Sequence, residues 1–206
     1  MVDKNAVRRG YDGLAETYAA ERSENGRERN ILDHFLEPLP ESAHILDAGC
    51  GQGTPVLRRM SATATTVGVD FSRTQLELAT ENAPDAGLVQ GDMTRLPVRD
   101  GAFDAITACH SLIHVPLNEH RAVVDEFARV LGPDGRLLLS EGPDEWSGTN
   151  PDWLESGVEM QWNIAGADAT REQLRNAGFT IVDEWGATNT LTEDEQWVFF
   201  SAHLDG

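Results

Sequence analysis

A glycine-rich segment near residue 50 carries the clearest chemical signal in this chain. Gly49, Gly51 and Gly53 alternate with other residues directly after Ile-Leu-Asp-Ala at 45–48, a run typical of a buried strand. Glycine has no Cβ, so its backbone takes positive φ angles and can approach a ligand closely. A strand, a turn of this kind and a following helix together present backbone amide hydrogens. The segment therefore predicts a binding site for a nucleotide-like ligand.

Acidic residues after successive strands narrow the class of ligand. Asp47 precedes a G-x-G-x-G spacing rather than the G-x-G-x-x-G of dinucleotide sites. A carboxylate there repels a pyrophosphate and suits an ammonium group or ribose hydroxyls. Asp70 stands 23 residues after Asp47, at the end of a second predicted strand, and its two oxygens can accept both ribose hydroxyls. Asp92 and Met93 follow a third strand, where a thioether can lie against a purine face.

Groups able to move a proton follow the fourth and fifth predicted strands. His110 and His114 come just after the fourth strand, and Glu141, a further candidate base, ends the fifth. Ligand-facing residues of parallel sheets lie beyond the carboxyl ends of the strands. Imidazole exchanges a proton near neutral pH, so His110 and His114 are the candidate catalytic residues, with packing as the alternative role for each.

These motifs together resemble the class I S-adenosylmethionine-dependent methyltransferases. The matching segments are D-A-G-C-G-Q-G at 47–53, Asp70, Asp92 with Met93, and F-D-A-I at 103–106. Residues 11–18 read Y-D-x-x-A-x-x-Y, similar to the helix before the core in small-molecule members of the ubiquinone and menaquinone biosynthesis type. The resemblance is strong across 45–141 and looser outside.

The resemblance implies S-adenosylmethionine as cofactor and a small-molecule acceptor. It implies that Asp70 binds the ribose, that Asp92 accepts the adenine amine, and that the Cys109 carbonyl accepts from the methionine ammonium. Tyr11 and Tyr18 are expected to seal the cofactor from water. The implied cofactor-binding residues are Tyr18, Asp47, Gly49, Gly51, Asp70, Phe71, Asp92, Met93 and Cys109, and no metal is implied.

Short apolar strands alternating with amphipathic helices predict the fold. Seven strands with helices on both faces indicate one doubly wound α/β domain over 1–206. Thr54 and Pro55 suit an N-cap and a first helical residue, while Ser72 with Gln75 and Thr170 with Gln173 suit capping boxes. The resemblance implies that the last strand inserts antiparallel between the fifth and sixth.

Two regions outside the core are expected to shape the acceptor side. We expect residues 1–40 to form a helical cap. We expect residues 142–168 to form an insertion, which holds Trp146, Trp153 and Trp162, three of the five tryptophans. Concentrated aromatic side chains suit a lid over an apolar or planar acceptor, and they suit anchoring of the insertion equally well.

Composition restricts the partners. The formal net charge is −19, and Lys4 is the sole lysine among sixteen basic residues. Such a surface repels phosphate backbones, which disfavours a nucleic acid substrate. It is typical of proteins that work in molar salt, with an acidic protein from ordinary salt as the alternative.

Two cysteines predict reduced thiols, and the lack of long apolar runs or a leader pattern predicts a cytoplasmic protein with no membrane association.

Three classes of function stay open at this point. The first is a methyltransferase, the second a protein that holds the cofactor without transfer, and the third a nucleotide-dependent oxidoreductase, which the glycine spacing disfavours. Methyl transfer is an in-line displacement, so we expect positioning of the acceptor to matter more than a base at either histidine. The methyl acceptor and the oligomeric state are not fixed by the residues.

We expect the melting temperature to rise as NaCl increases from about 0.1 M to molar concentrations. The physical reason is screening of repulsion between the acidic groups, because the Debye length falls to about 3 Å at 1 M. Differential scanning calorimetry across that range measures it. A melting temperature that stays flat or falls would contradict adaptation to high salt.

Overall fold

The computed structural model describes residues 2–21, 26–188 and 196–206. Seven strands form one sheet in the order β3-β2-β1-β4-β5-β9-β8. All neighbours pair in parallel except β9, which is antiparallel to both β5 and β8. The predicted fold class and the insertion of the last strand are thereby confirmed. The sheet strands are β1 His44–Ala48, β2 Thr65–Asp70, β3 Gly87–Gln90, β4 Phe103–Ala108, β5 Leu131–Glu141, β8 Phe179–Thr188 and β9 Gln196–Leu204.

The described residues include six α-helices, and those that cover the sheet form an apolar layer on each face. One layer packs Val123 and Phe127 against Leu137, and the other packs Phe35 and Leu57 against the opposite side. Each layer buries the apolar stripe of its helices, which is the main source of stability for such a sheet. The helices are α1 Lys4–Glu21, α2 Arg27–Leu36, α3 Val56–Ser61, α4 Arg73–Asn82, α5 His120–Val130 and α6 Ala167–Asn176.

The parallel pairing brings the predicted site residues to one edge. Asp47 near the end of β1 pairs in register with Gly68 of β2 and Thr107 of β4. Asp70 at the end of β2 pairs with Gln90 of β3. The carboxyl ends of the four strands β1 to β4 therefore point to the same side, where ligands of open α/β sheets bind.

The insertion after β5 is a β-hairpin, which the sequence did not predict. Strands β6 Trp146–Asn150 and β7 Met160–Ile164 pair antiparallel. Helix α6 begins at Ala167, so the last two residues of the predicted insertion at 142–168 are its first helical residues. Helix α1 packs on this hairpin so closely that a Cβ at Gly10 would lie 3.0 Å from the Glu159 carbonyl oxygen.

Several predicted helix starts are corrected. Helix α3 begins at Val56 with Pro55 as its N-cap, and Thr54 donates to the Gln52 side chain instead of capping. Helix α6 begins at Ala167 after Gly166, so Thr170 lies inside the helix and is buried. The Ser72 cap is confirmed, since its Oγ accepts from the Gln75 N–H at 3.2 Å.

Helices α1 and α2 occupy the predicted N-terminal cap at 1–40, of which residues 1 and 22–25 lie outside the described residues. Among the described helices, none is long and apolar enough to cross a membrane.

Candidate functional site

A pocket at the carboxyl ends of β1 to β4 brings together the nine residues predicted to bind the cofactor and the two candidate catalytic histidines. It spans about 870 Å³, open solvent included. Nine of the lining residues are the expected cofactor contacts and two are the candidate histidines. They are Tyr18, Asp47, Gly49, Gly51, Asp70, Phe71, Asp92, Met93, Cys109, His110 and His114.

The glycine loop forms the floor of this pocket. The φ angles of Gly49, Gly51 and Gly53 are 82°, 53° and 91°, in the left-handed region that favours glycine. A Cβ at Gly49 would lie 2.3 Å from the Cβ of Ser111, which no other residue type could tolerate. The Ser111 Oγ donates to the Ala48 carbonyl at 2.8 Å and holds the two loops together.

Asp70 links the end of β2 to the glycine loop. Its Oδ2 accepts from the Gly51 N–H and its Oδ1 from the Ser72 N–H, each at 2.8 Å. Burial raises the pKa of Asp70 to about 6, although these backbone donors favour the ionised form. A buried carboxylate whose ionised form is costly gains from further hydrogen-bond donors, which ribose hydroxyls can supply.

Gln75 provides a test of whether the pocket fits a nucleoside. Its side chain is 1% exposed, and neither Nε2 nor Oε1 has a hydrogen-bond partner among the described residues. It lines the pocket near Gly51 and Asp70, so a ligand with vicinal hydroxyls could satisfy it. The donor and acceptor groups at this wall therefore fit the ribose of S-adenosylmethionine.

Asp92 is held by the sole lysine of the chain. Its Oδ2 accepts from the Lys4 Nζ at 2.8 Å, and its Oδ1 accepts from the N–H and hydroxyl of Thr94. Burial alone would raise the pKa of Asp92, but the Lys4 and Thr94 contacts outweigh it and lower the pKa. Lys4 also bonds Glu119 at 2.5 Å, so α1 is tied to the pocket at its first residue.

Helix α1 closes the pocket through further side chains. Asp12 Oδ1 accepts from the Ser72 hydroxyl at 2.7 Å, which fixes α1 to the start of α4. Tyr11 and Tyr18 meet edge to face, with ring centroids 5.5 Å apart, and both line the pocket. The seal that they are expected to form over the cofactor stays a prediction.

A second pocket adjoins the first and is walled by aromatic rings. It shares Tyr11, Tyr18, His110 and His114 with the cofactor pocket. No lysine or arginine is among its described lining residues, and Asp144 is the acidic one. The rings of the insertion and β9 complete its wall, namely Trp146, Trp153, Trp162 and Trp197.

His114 is buried and bonded on both ring nitrogens. Nδ1 lies 3.0 Å from the Gln161 carbonyl oxygen and Nε2 lies 2.8 Å from the Tyr11 hydroxyl. A carbonyl only accepts, so Nδ1 carries the hydrogen and the Tyr11 hydroxyl donates to Nε2. Burial lowers the pKa of His114 to about 4, despite the bond to Gln161.

His110 has different partners. Its Nε2 lies 3.0 Å from a carboxylate oxygen of Glu28 on α2, a residue that the sequence did not single out. The rings of Trp197 and Phe199 lie edge to face against the imidazole, with centroids 4.8 and 5.7 Å away. The two histidines thus differ in burial and in the chemistry of their partners.

Glu141 lies apart from both pockets, which corrects its status as a candidate base. It is fully buried, with Oε1 accepting from the Gly142 N–H at 2.8 Å. Burial raises its pKa to about 7, opposed by bonds from Gly142, Ala165 and Thr170. The carboxyl group therefore joins the two ends of the insertion rather than facing a ligand.

Two cysteines and a carboxylate complete the pocket. Neither Cys50 nor Cys109 forms a disulfide among the described residues, and burial raises the pKa of Cys50 well above its usual range. Asp47 Oδ1 accepts from the Thr107 hydroxyl at 2.8 Å. In the described part of the chain no three His, Cys, Asp or Glu side chains group as metal ligands.

Sequence comparison places the central part of the chain in a known family. Residues 46–139 match the family model described as a methyltransferase domain. The chain is 37% identical over 152 residues to 27-O-demethylrifamycin SV methyltransferase of Amycolatopsis mediterranei, covering 70% of this chain and 49% of that protein. It is 39% identical over 120 residues to methyltransferase GfsG of Streptomyces halstedii, covering 54% and 42%. The chain thus spans about half the length of these relatives.

Structural comparison agrees on the fold. The [4+2]-cyclase SpnF superposes with a TM-score of 0.74 at 22% identity, covering 97% of this chain and 95% of that one. At that identity the likeness shows the fold alone. A shared fold does not by itself establish a shared reaction.

We expect Asp70→Ala to weaken S-adenosylmethionine binding roughly ten- to a hundred-fold, since each charge-assisted hydrogen bond contributes about 1.5–3 kcal/mol. Binding should also weaken as pH falls through about 6, because protonation removes an acceptor, and this pH dependence should be lost in Asp70→Asn. Calorimetry measures both. Asp85→Asn, an exposed carboxylate outside the pocket, is the matched control. Unchanged affinity in folded Asp70→Ala would reject the assignment.

Proposed function

Because the chain belongs to the class I S-adenosylmethionine-dependent methyltransferases, we propose that it transfers a methyl group from S-adenosylmethionine to a small-molecule acceptor. The observation that carries this proposal is the junction of two pockets. One pocket holds the residues expected for the cofactor, and the other is an aromatic space that shares Tyr11, Tyr18, His110 and His114 with it. A cofactor site and an acceptor site that meet in this way permit direct transfer.

The proposed roles of the residues follow from their chemistry. We assign Asp70 and Gln75 to the ribose, Asp92 and Met93 to the adenine, and the glycine loop with Cys109 to the methionine end. When bound, the cofactor supplies an electrophilic methyl carbon on a positively charged sulfur. Tyr11 and Tyr18 exclude water, and the rings of the second pocket orient the acceptor for in-line attack.

The composition of the second pocket supports a flat, uncharged acceptor. Trp146, Trp153, Trp162 and Trp197 offer ring faces and edges, and the absence of lysine and arginine from the described lining disfavours an anion. A nucleic acid acceptor is disfavoured further by the net charge of −19. We propose further that the chain forms one domain and that the protein works in a salt-rich cytoplasm, and its acidic composition supports the adaptation to salt.

Binding and turnover experiments separate the three classes of function. We expect calorimetry to detect S-adenosylmethionine and S-adenosylhomocysteine and to detect no NAD. We then expect methyl transfer to one or more members of a panel of uncharged phenols, hydroxyquinones and amines, followed by mass spectrometry. Binding of NAD alone would favour an oxidoreductase. Cofactor binding with no methylated product would favour a protein without transfer activity.

Trp162 is the ring most suited to position the acceptor. It lies against His114, Trp153 and Trp146, with ring centroids 5.9, 5.4 and 6.3 Å away, and lines the second pocket.

We expect Trp162→Ala to lower turnover while leaving cofactor affinity nearly unchanged, because misalignment of the acceptor raises the barrier without touching the cofactor. Steady-state kinetics with the best acceptor and calorimetry with S-adenosylmethionine measure the two effects. Trp185→Ala is the matched control, since Trp185 contacts His34 and lines neither pocket. Equal turnover in both variants would refute positioning by Trp162.

A further inference from the structure

The backbone of His110 is held in an uncommon conformation at the junction of the two pockets. Its φ angle is 54°, in the left-handed region that residues with a Cβ rarely adopt. Its N–H donates to the Ser140 hydroxyl at 2.7 Å, which anchors this conformation. Strained positions of this kind occur preferentially at functional sites, since the surrounding structure must support them.

The imidazole of His110 is fixed as firmly as its backbone. Trp197 and Phe199 meet the ring edge to face, and Glu28 bonds its Nε2. The side chains of His110 and Glu28 are only 9% and 14% exposed. A contact this well shielded from solvent is screened far less than a surface ion pair.

The partner of Nε2 determines which ring nitrogen can accept a proton. An ionised carboxylate only accepts, so Nε2 of His110 carries the hydrogen that points to Glu28. The hydrogen bond of the His110 ring among the described residues is the one at Nε2, which leaves the lone pair of Nδ1 to take a proton. His114 has the opposite tautomer, because its Nδ1 donates to Gln161 and its Nε2 is occupied by Tyr11.

We propose that His110 is the proton acceptor of the transfer reaction and that Glu28 is its positioning residue, fixing the tautomer and stabilising the imidazolium that forms. His114 instead holds Tyr11 in place over the pocket. This proposal rests on the proposed function. The sequence predicts that acceptor positioning matters more than a base at either histidine. The proposal revises that expectation for His110, because the contact with Glu28 could not be predicted from the sequence.

For an acceptor with a hydroxyl group, the proposed reaction couples the loss of the hydroxyl proton to the gain of the methyl group. The hydroxyl proton passes to Nδ1 of His110 while an oxygen electron pair forms the bond to the methyl carbon. The electron pair of the carbon–sulfur bond stays on sulfur, which gives S-adenosylhomocysteine. The imidazolium of His110, paired with Glu28, then releases its proton to solvent.

Other groups near His110 must be considered in any pH profile. His114 faces it across the junction, and charge on His110 lowers the pKa of His114. Cys109 precedes it in the chain, Tyr11 and Tyr18 share both pockets, and Asp144 lines the acceptor side. Comparing each variant with the wild type separates His110 and Glu28 from these neighbours.

The first test reads the tautomers directly and does not depend on turnover. In ¹⁵N-histidine NMR of the whole protein at pH 8, we expect His110 as the Nε2–H tautomer and His114 as the Nδ1–H tautomer. Glu28→Ala should remove the preference at His110 only, and Glu37→Gln, an exposed carboxylate at the end of the same helix, should leave it. An Nδ1–H tautomer at His110 in the wild type would overturn the proposal.

The second test uses phenols of graded acidity as acceptors. For weakly acidic phenols we expect His110→Ala to lower kcat roughly 10²- to 10⁴-fold, the range for a general base, and Glu28→Ala roughly 10- to 100-fold. The loss should shrink for phenols already ionised at the assay pH, which a purely structural role would not produce. Calorimetry with S-adenosylmethionine checks that the cofactor site is intact.

The outcomes separate this proposal from the proposed function. If the wild type methylates phenols and both variants stay within threefold of it, the His110–Glu28 assignment is wrong and the function stands. A uniform loss across all phenols would likewise reject proton transfer. If the wild type binds the cofactor but methylates no acceptor, the function itself fails, and the role of His110 fails with it.

Discussion

The closeness of the glycine loop to the segment after β4 is the constraint on which the cofactor pocket depends. Ser111 occupies the space that a side chain at position 49 would need, and its hydroxyl bonds the Ala48 carbonyl. The Gly49 and Cys50 N–H groups both donate to the Val69 carbonyl, which ties the same loop to β2. Three strands are thereby locked at one edge, so the residues that follow them have fixed mutual positions.

Helix α1 is attached to this edge by polar contacts that belong to the site itself. Lys4 bonds Asp92, Asp12 bonds Ser72, and Tyr11 bonds His114. Each contact therefore joins α1 to a residue that lines a pocket or to the neighbour of such a residue. Packing adds a small separate core in which Val7, Leu14 and Tyr18 of α1 meet Met160 of the hairpin. Helix α1 and the hairpin consequently form one packed unit that lines the pockets.

The site residues that could be predicted from the sequence all belong to a local sequence pattern. Gly49, Asp70 and Asp92 each end a short apolar run, and parallel pairing brings the ends of such runs together. Glu28, Lys4 and Gln75 carry no such pattern. Glu28 reaches His110 across 82 positions and Lys4 reaches Asp92 across 88, so only the folded chain joins them. Gln75 was assigned to a capping box, and its burial at the pocket wall depends on how α4 packs. The hairpin was missed because its strands are mostly polar or aromatic and pair only with each other.

Charged side chains are distributed unevenly around the two pockets, and their positions affect the barrier to the proposed methyl transfer. Asp47, Asp70 and Asp92 lie on the cofactor side, while aromatic rings and the two imidazoles surround the shared junction. Transfer from a sulfonium to a neutral acceptor disperses positive charge, and a weakly polar setting favours dispersed charge over concentrated charge. A carboxylate placed directly at the junction would stabilise the sulfonium of the ground state and raise the barrier. In the proposed mechanism Glu28 avoids that cost, because it lines neither pocket and bonds Nε2 of His110, so its charge acts on the imidazolium as the proton arrives.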